Sequence, residues 1–332
     1  MNDPALVPPE GGLYEHGYGT SDLDGALRYW GQLGFAEVAR GQLDAAAAQA
    51  LYGYGSPMTG VRLAHRAERR YGLVRLFEFE QPAGPGLEFA HALSLGSRWS
   101  GFYTRDLVQI QDAYRDEAAA SGMSWRVSDM VRLFISAAVP SFHSPFVGIR
   151  ESTILGPEHR HAFLQRVGFD RPGFGSFASD TPLPVTECTH GNVVVPTLDH
   201  HAFYTEGLGL AVQAPAQTID WTVAAVRQSL ALQQGEAFEV IVYQTPGVPS
   251  GFLRVYAPRE SRPDLRGSSR PGNLGNCLYT YRYPEGVLAA RRQRMIVAGA
   301  TDVTPLLINE FGESSFSCRS PDGYFWAFHA GG

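Results

Sequence analysis

Lysine is absent from this 332-residue chain, and all 27 basic side chains are arginine. Without a primary amine side chain, Schiff-base chemistry, a phosphate-loop lysine and covalent pyridoxal attachment are excluded. A GC-rich genome is the plain source of such a bias. Cysteine is scarce as well: Cys188, Cys277 and Cys318 stand far apart and form no CxxC pair, which argues against a zinc knuckle or a disulfide framework. No apolar run reaches the roughly 18 residues that span a bilayer. The start Met1-Asn2-Asp3-Pro4 carries no basic region leading into an apolar stretch, so a cytoplasmic location without a membrane partner is expected. Positive charge is also in deficit. A formal net charge of −6 offers no basic surface for nucleic acid. What remains is 44% hydrophobic and 18% charged, the composition of a globular chain long enough for two domains with their own cores.

One phrase is present twice. Ser21-Asp22-Leu23-Asp24-Gly25-Ala26-Leu27-Arg28-Tyr29-Trp30-Gly31-Gln32-Leu33-Gly34-Phe35 is echoed by Pro196-Thr197-Leu198-Asp199-His200-His201-Ala202-Phe203-Tyr204-Thr205-Glu206-Gly207-Leu208-Gly209-Leu210. Leu23/Leu198, Asp24/Asp199, Tyr29/Tyr204 and Gly34/Gly209 match at one constant offset, and Leu43-Asp44 against Ile219-Asp220 falls one residue later. A repeat this long is domain-sized, so the chain reads as a tandem duplication.

Each copy reads as strand, helix, then several strands. His16 to Ser21 is a strand entering a helix started by Asp22 and Asp24, whose charges suit the helix N-terminus. Ala26, Leu27, Trp30 and Leu33 recur at helical spacing until Gly34. A small helix spans Asp44 to Tyr52, and Gly60 to His65 and Gly72 to Glu80 alternate as strands. A second unit has strands Trp99 to Thr104, Val131 to Ala138 and Phe146 to Ile154, with a helix from Asp106 to Ser121 capped by Gly122. Gly156 to Pro184, rich in Gly, Pro and Phe, is aperiodic and reads as the inter-domain connection. The second half repeats the scheme: strand Thr189 to Val195, helix Leu198 to Glu206, strands Glu239 to Gln244 and Phe252 to Ala257. It closes with strand Cys277 to Arg282, helix Val287 to Ala298, and strands Ser314 to Cys318 and Tyr324 to His329. The expected division is a first domain over 1–165 (modules 1 and 2), a linker over 166–185 and a second domain over 186–332 (modules 3 and 4).

This pattern resembles the vicinal oxygen chelate superfamily, which includes glyoxalase I, bleomycin-resistance proteins and extradiol dioxygenases. Both copies match its phrase of a strand, Asp-Leu, a helix ending in an aromatic, and Leu-Gly-Phe or Leu-Gly-Leu. Its Pro-Asp-Gly phrase before an aromatic strand closes the chain as Pro321-Asp322-Gly323-Tyr324-Phe325-Trp326. The resemblance implies an α+β fold of four βαβββ modules paired into two cupped mixed sheets. It leaves the reaction open, because the superfamily hosts lyases, isomerases, dioxygenases and metal-free drug-binding proteins.

Metal-dependent members chelate the substrate on a divalent ion held by His, Glu or Gln from facing strands. The resemblance places the first-strand ligand at His190 in the third module and at Glu15, or neighbouring His16, in the first. The second and fourth modules have Trp99 and Asn276 there. On the last strand stand Ala327 and Val255, with Glu151 a near match, while the first module offers Glu78 or Glu80. The C-terminal pair thus has His190 alone, and one imidazole does not hold a catalytic metal. The N-terminal pair keeps Glu15 or His16, Glu78 or Glu80, and Glu151, a set that could hold iron, manganese, nickel or zinc. No cofactor is favoured. The plain alternatives are a solvent face for Glu78 and Glu80 and, for Glu151, pairing with neighbouring Arg150 or another arginine.

Without a metal, the cup can act through a carboxylate base among Glu15, Glu78, Glu80 and Glu151, or through His16 or His190. Trp99, Tyr103, Tyr279, Tyr281 and Trp326 would line it, with Arg132, Arg254 and Asn276 as polar contacts. The expected function is lyase- or isomerase-type chemistry on an oxygenated aromatic or polyketide-like small molecule. Two alternatives stand beside it: a metal-free protein sequestering an antibiotic-like ligand, and a divalent-metal glyoxalase- or dioxygenase-like enzyme using the N-terminal domain. An internally duplicated chain is compatible with a monomer or a homodimer.

Overall fold

The computed structural model describes residues 7–134, 141, 143 and 145–331. Module 1 runs β1 (Glu15–Gly19), α1 (Leu23–Gln32), β2 (Phe35–Leu43), α2 (Ala45–Tyr52), β3 (Met58–His65) and β4 (Leu73–Phe79). Module 2 has β5 (Arg98–Tyr103), α3 (Leu107–Ser121), β6 (Arg126–Val127), β7 (Val131–Phe134), β8 (Gly148–Leu155) and β9 (Arg160–Val167). Module 3 has β10 (His190–Val194), a π-helical turn (Phe203–Gly207), β11 (Ala211–Asp220), α4 (Ala224–Leu230), β12 (Ala237–Gln244) and β13 (Phe252–Pro258). Module 4 has β14 (Gly275–Tyr283), α5 (Leu288–Val297), β15 (Leu307–Ile308), β16 (Ser314–Arg319) and β17 (Phe325–Ala330).

The helix starts follow from aspartate caps. Asp22 accepts from Gly25 N at 2.8 Å, and Asp106 accepts from Val108 N and Gln109 N at 3.0 and 3.1 Å, satisfying amides that have no partner within the first turn. Gly122 closes α3 at φ +71°, a left-handed stop that glycine adopts without strain. In module 3 the expected helix Leu198 to Glu206 is reduced to a short turn. The expected connection Gly156 to Pro184 contains all of β9. The long strands β2 and β11 had no clear sequence signal, because they form sheet edges with largely exposed side chains. The expected strand Val131 to Ala138 is seen as far as Phe134, and its remainder lies outside the described residues.

The four modules build two curled mixed sheets, as expected, but not in the expected pairs. One sheet has the order β15-β16-β17-β14-β1-β4-β3-β2 and the other β11-β12-β13-β10-β5-β9-β8-β6, with β7 also pairing β8. β1 pairs antiparallel with β14, and β5 with β10. Modules 1 and 4 therefore share one cup, modules 2 and 3 the other, and each sheet draws strands from both sides of the expected 166–185 boundary. The physical reason is that every module opens with a strand, and which two pair is a long-range choice that local sequence does not display.

The sheets stand back to back. Val74 and Leu76 of β4 share a core with Phe102 and Phe163 of β5 and β9, covered by α1 and α3. On the other side Val193 and Val255 meet Tyr279, Tyr281 and Trp326, covered by the π turn and α5. Among the described residues no helix is long and apolar enough to cross a membrane.

Candidate functional site

In the cup of modules 1 and 4, the four central strands point Glu15, Arg75, Thr280 and His329 at one another, and all four are fully buried. Arg75 Nη1 lies 3.2 Å from Glu15 Oε2 and 2.9 Å from His329 Nε2, and His329 Nε2 lies 3.1 Å from the same carboxylate oxygen. Thr280 Oγ1 donates to Glu15 Oε2 at 3.0 Å. The other Glu15 oxygen accepts from Arg62 Nε at 2.5 Å, while the Arg62 fork binds Glu313 with two 2.7 Å bonds. Glu310 completes the network, accepting from Arg75 Nε at 2.9 Å and from the Tyr52 hydroxyl at 2.8 Å. Helix α2, capped by Asp44, and the loop over 309–313 fill the mouth, with Ala48, Leu51 and Tyr52 packed on Phe77 and Leu278.

Burial pushes the Glu15 carboxyl up, but Arg62, Arg75 and His329 outweigh it and hold the group well below the usual carboxylate range. Glu15 is thus a pinned anion and not a base raised by burial. Nor does the donor set fit a divalent ion. The guanidinium of Arg75 already bonds the carboxylate and approaches the imidazole, so a metal would have to displace a buried cation. The expected metal set is also dispersed. Glu78 lies on the opposite face of β4, its carboxylate accepting from Leu23 N at 3.2 Å; Glu80 is exposed past the strand end, and Glu151 belongs to the other sheet. Among the described residues no group of three or more His, Cys, Asp or Glu could hold a metal.

The cup of modules 2 and 3 is different in kind. Strand register puts Trp99, Gly101 and Tyr103 of β5, His190 and Asn192 of β10, Arg254 and Tyr256 of β13, and Glu151 of β8 on its concave face. His190 stacks flat on Phe252 (4.8 Å, 6°) over Gly101, where a Cβ would lie 1.9 Å from the imidazole. Glycine at 101 makes room for that ring. The Thr189 hydroxyl donates to Gly101 O at 3.1 Å, so its oxygen accepts from His190 Nδ1–H at 3.1 Å. That fixes the tautomer and leaves the lone pair on Nε2, which is buried and unpartnered. Burial holds the imidazole well below its ordinary range, with Arg254 adding to the effect.

Arg254 is the centre of charge in this cup. Its guanidinium lies over the Phe252 ring at 5.1 Å, within hydrogen-bonding reach of the Tyr256 hydroxyl and beside Glu151 and Tyr103. Burial pushes Glu151 up, offset in part by Arg254. Burial likewise raises Tyr103, over whose ring Arg166 sits at 4.2 Å. Trp99 packs on Tyr256, and Leu230 and Leu232, at and just after the end of α4, close over the apolar side.

Several expected contacts lie elsewhere. His16 is one residue from Glu15 and so on the back of the sheet, 2.7 Å from Ser100 Oγ, with its pKa drawn down to about 3 by burial. Tyr279, Tyr281, Trp326 and Asn276 share that back face: Tyr279 OH donates to Trp99 O at 2.9 Å, and Tyr281 stacks on Trp326. They bind the two sheets together and line no cup. A one-residue error in pleat parity moves a side chain to the opposite face. Arg132 is exposed on β7 with its guanidinium 5.8 Å from the Phe146 ring. The residues missed were Arg62, Arg75, Glu310, Glu313 and His329. A signal was present for two of them: Val61-Arg62-Leu63 and Val74-Arg75-Leu76 each embed an arginine in an apolar strand, which demands a buried partner.

No family model and no curated protein matches the chain. Solved structures do match. Four βαβββ modules in two back-to-back curled sheets are the fold of the vicinal oxygen chelate superfamily, and the chain has that fold. It is similar to glyoxalase I from Zea mays, with 11% identity and a TM-score of 0.55 over 97% of this chain and 92% of that one. It is also similar to a Bacillus subtilis protein assigned to the dioxygenases, with 11% identity and a TM-score of 0.57 over 98% and 86%. Identities this low speak of fold.

Proposed function

We propose that the cup of modules 2 and 3 is the working site, and that it moves a proton on a small oxygenated aromatic or polyketide-like molecule, a lyase- or isomerase-type reaction. The observation that supports this reading is Glu151: a carboxyl raised by burial beside the Arg254 guanidinium, on the same concave face as His190, whose Nε2 is buried and unpartnered. A raised pKa brings a carboxylate closer to the acidity of a carbon acid, and so improves it as a base. In this mechanism Glu151 takes the proton from the carbon next to a carbonyl. Arg254, with the Tyr103 and Tyr256 hydroxyls near it, holds the oxygen on which the negative charge collects. The Glu151 acid then returns the proton to a neighbouring carbon, completing an isomerisation, or to a leaving group, completing an elimination. His190 Nε2 accepts a substrate hydroxyl, and Trp99 and Tyr103 present flat apolar surface.

The test is solvent-deuterium exchange into benzoylacetone, a flat aryl diketone, followed by NMR on the whole chain. Catalysed exchange that falls about 100-fold or more in Glu151→Gln, and falls in Arg254→Met, supports the assignment. Exchange that survives Glu151→Gln overturns it. Saturable binding without exchange rejects turnover of this carbon acid and favours sequestration.

A further inference from the structure

An open cleft lies outside both cups, between α1 and α3. It measures about 670 Å³, within the range of about 300–1,000 Å³ usual for small-molecule sites. The duplication makes its presence informative. In modules 3 and 4 the counterpart helices meet directly: a Cβ on Gly207 of the π turn would sit 3.2 Å from both Ala298 and Met295 at α5. In modules 1 and 2 the corresponding helices touch through the Tyr29 and Tyr114 hydroxyls, 2.5 Å apart, and further aromatic side chains line a cleft beside that contact.

Three rings form the wall in nearly parallel planes. Tyr29 lies 4.0 Å from His159 (14°) and 5.9 Å from Trp125 (11°), and Trp125 lies 5.8 Å from His159 (11°). Tyr114 stands edge-on to Trp125 at 4.8 Å. His159 is 8% exposed, lines the cleft, and has no partner for Nδ1. A buried ring nitrogen left unpaired is costly. The rim is acidic: Asp22, Glu117 and Glu158 line the opening against Arg28, which leans 3.9 Å from Asp22. His159 adds no positive charge, because burial draws its pKa down to about 3.

Parallel ring faces accept a flat ring, their electron-rich surfaces attract positive charge, and the carboxylates repel anions. We propose that the α1–α3 cleft is a second ligand site, built for a flat aromatic cation that stacks on Tyr29 and Trp125 with its charge toward Glu117 and Glu158. It shares no residue with the cup of modules 2 and 3, so its fate is independent of the reading given to that cup.

Calorimetric titration of the full chain at pH 8 with three probes tests this: 9-aminoacridine (flat and cationic), acridine (flat and neutral) and tetramethylammonium (cationic without a ring). The expected result is saturable one-to-one binding of 9-aminoacridine, with acridine and tetramethylammonium each about tenfold weaker or worse. Trp125→Ala should weaken 9-aminoacridine about tenfold. So should the double variant Glu117→Gln/Glu158→Gln, whose sites are at the rim and leave the core intact. Arg254→Met should leave it unchanged. Acridine binding as tightly as the cation, unaltered binding in the double variant, or no saturable binding of 9-aminoacridine overturns the proposal.

Discussion

Arg75 and Glu15 face each other across adjacent parallel strands, Nη1 3.2 Å from Oε2, with both side chains sealed from solvent. Removing one member of a buried ion pair leaves an uncompensated charge and costs about 3–5 kcal/mol. Arg75→Met should therefore destabilise the fold by about that much, and the double variant Arg75→Met/Glu15→Gln by clearly less than the sum of the single changes. Urea unfolding of the four proteins in a double-mutant cycle measures the coupling. Strict additivity would show that the pair is not interacting.

The same network predicts metal independence. Equilibrium dialysis of the purified chain against Mn²⁺, Ni²⁺, Zn²⁺ or Fe²⁺ should leave no stoichiometric ion in the cup of modules 1 and 4, and chelators should not change its unfolding midpoint. One bound ion per chain, lost on Glu15→Gln or His329→Ala, would contradict this.

Glu187 supplies a pH dependence. Its carboxyl is buried, accepts from Ser176 N at 2.8 Å and from Ser250 Oγ at 3.4 Å, and burial pushes it up from 4.5 to about 7. The native state therefore keeps a proton that the unfolded chain releases. Stability is full at low pH relative to this group, falls as pH rises from about 4.5 to about 7, and the loss approaches roughly 3 kcal/mol. Glu187→Gln should remove that slope and be the more stable protein at about pH 8. An identical pH slope in the variant would rule Glu187 out as its source.

Gly41 seals the first cup. An alanine Cβ there would stand 1.6 Å from the Glu310 carbonyl oxygen, so Gly41→Ala must push the 309–313 loop off β2. The expected cost is about 1–3 kcal/mol, with faster amide exchange over 309–313 and unchanged proton exchange catalysis in the other cup. Unaltered amide exchange in the loop would mean that β2 yields instead.

Local chemistry was legible wherever one residue decides one local event. Asp22 and Asp106 start helices because their side chains satisfy free amides, and Gly122 stops one because it can turn left-handed. The candidate site was legible in part. Glu15, Glu151, His190, Trp99, Tyr103 and Arg254 do face the cups, whereas His16, Glu78, Asn276, Tyr279, Tyr281 and Trp326 do not. The difference is pleat parity, which a strand displays only once its neighbours and register are known. Glu15 and His16 are adjacent and equally polar, yet one meets two arginines and the other a serine on the sheet behind.

By itself the sequence determined the repeat and the strand–helix–strand order of its modules, since helix caps and apolar periodicity are short-range properties; the cupped-sheet fold was what the family resemblance implied. Only the tertiary structure decided that module 1 joins module 4 and module 2 joins module 3. That pairing brings Arg75 and Glu310, or Glu151 and Arg254, into one cup across long stretches of chain. Each module opens with a strand that pairs with another module's; the free energy that selects its partner resides in packing and charge compensation between distant segments, which exist only after the chain has folded.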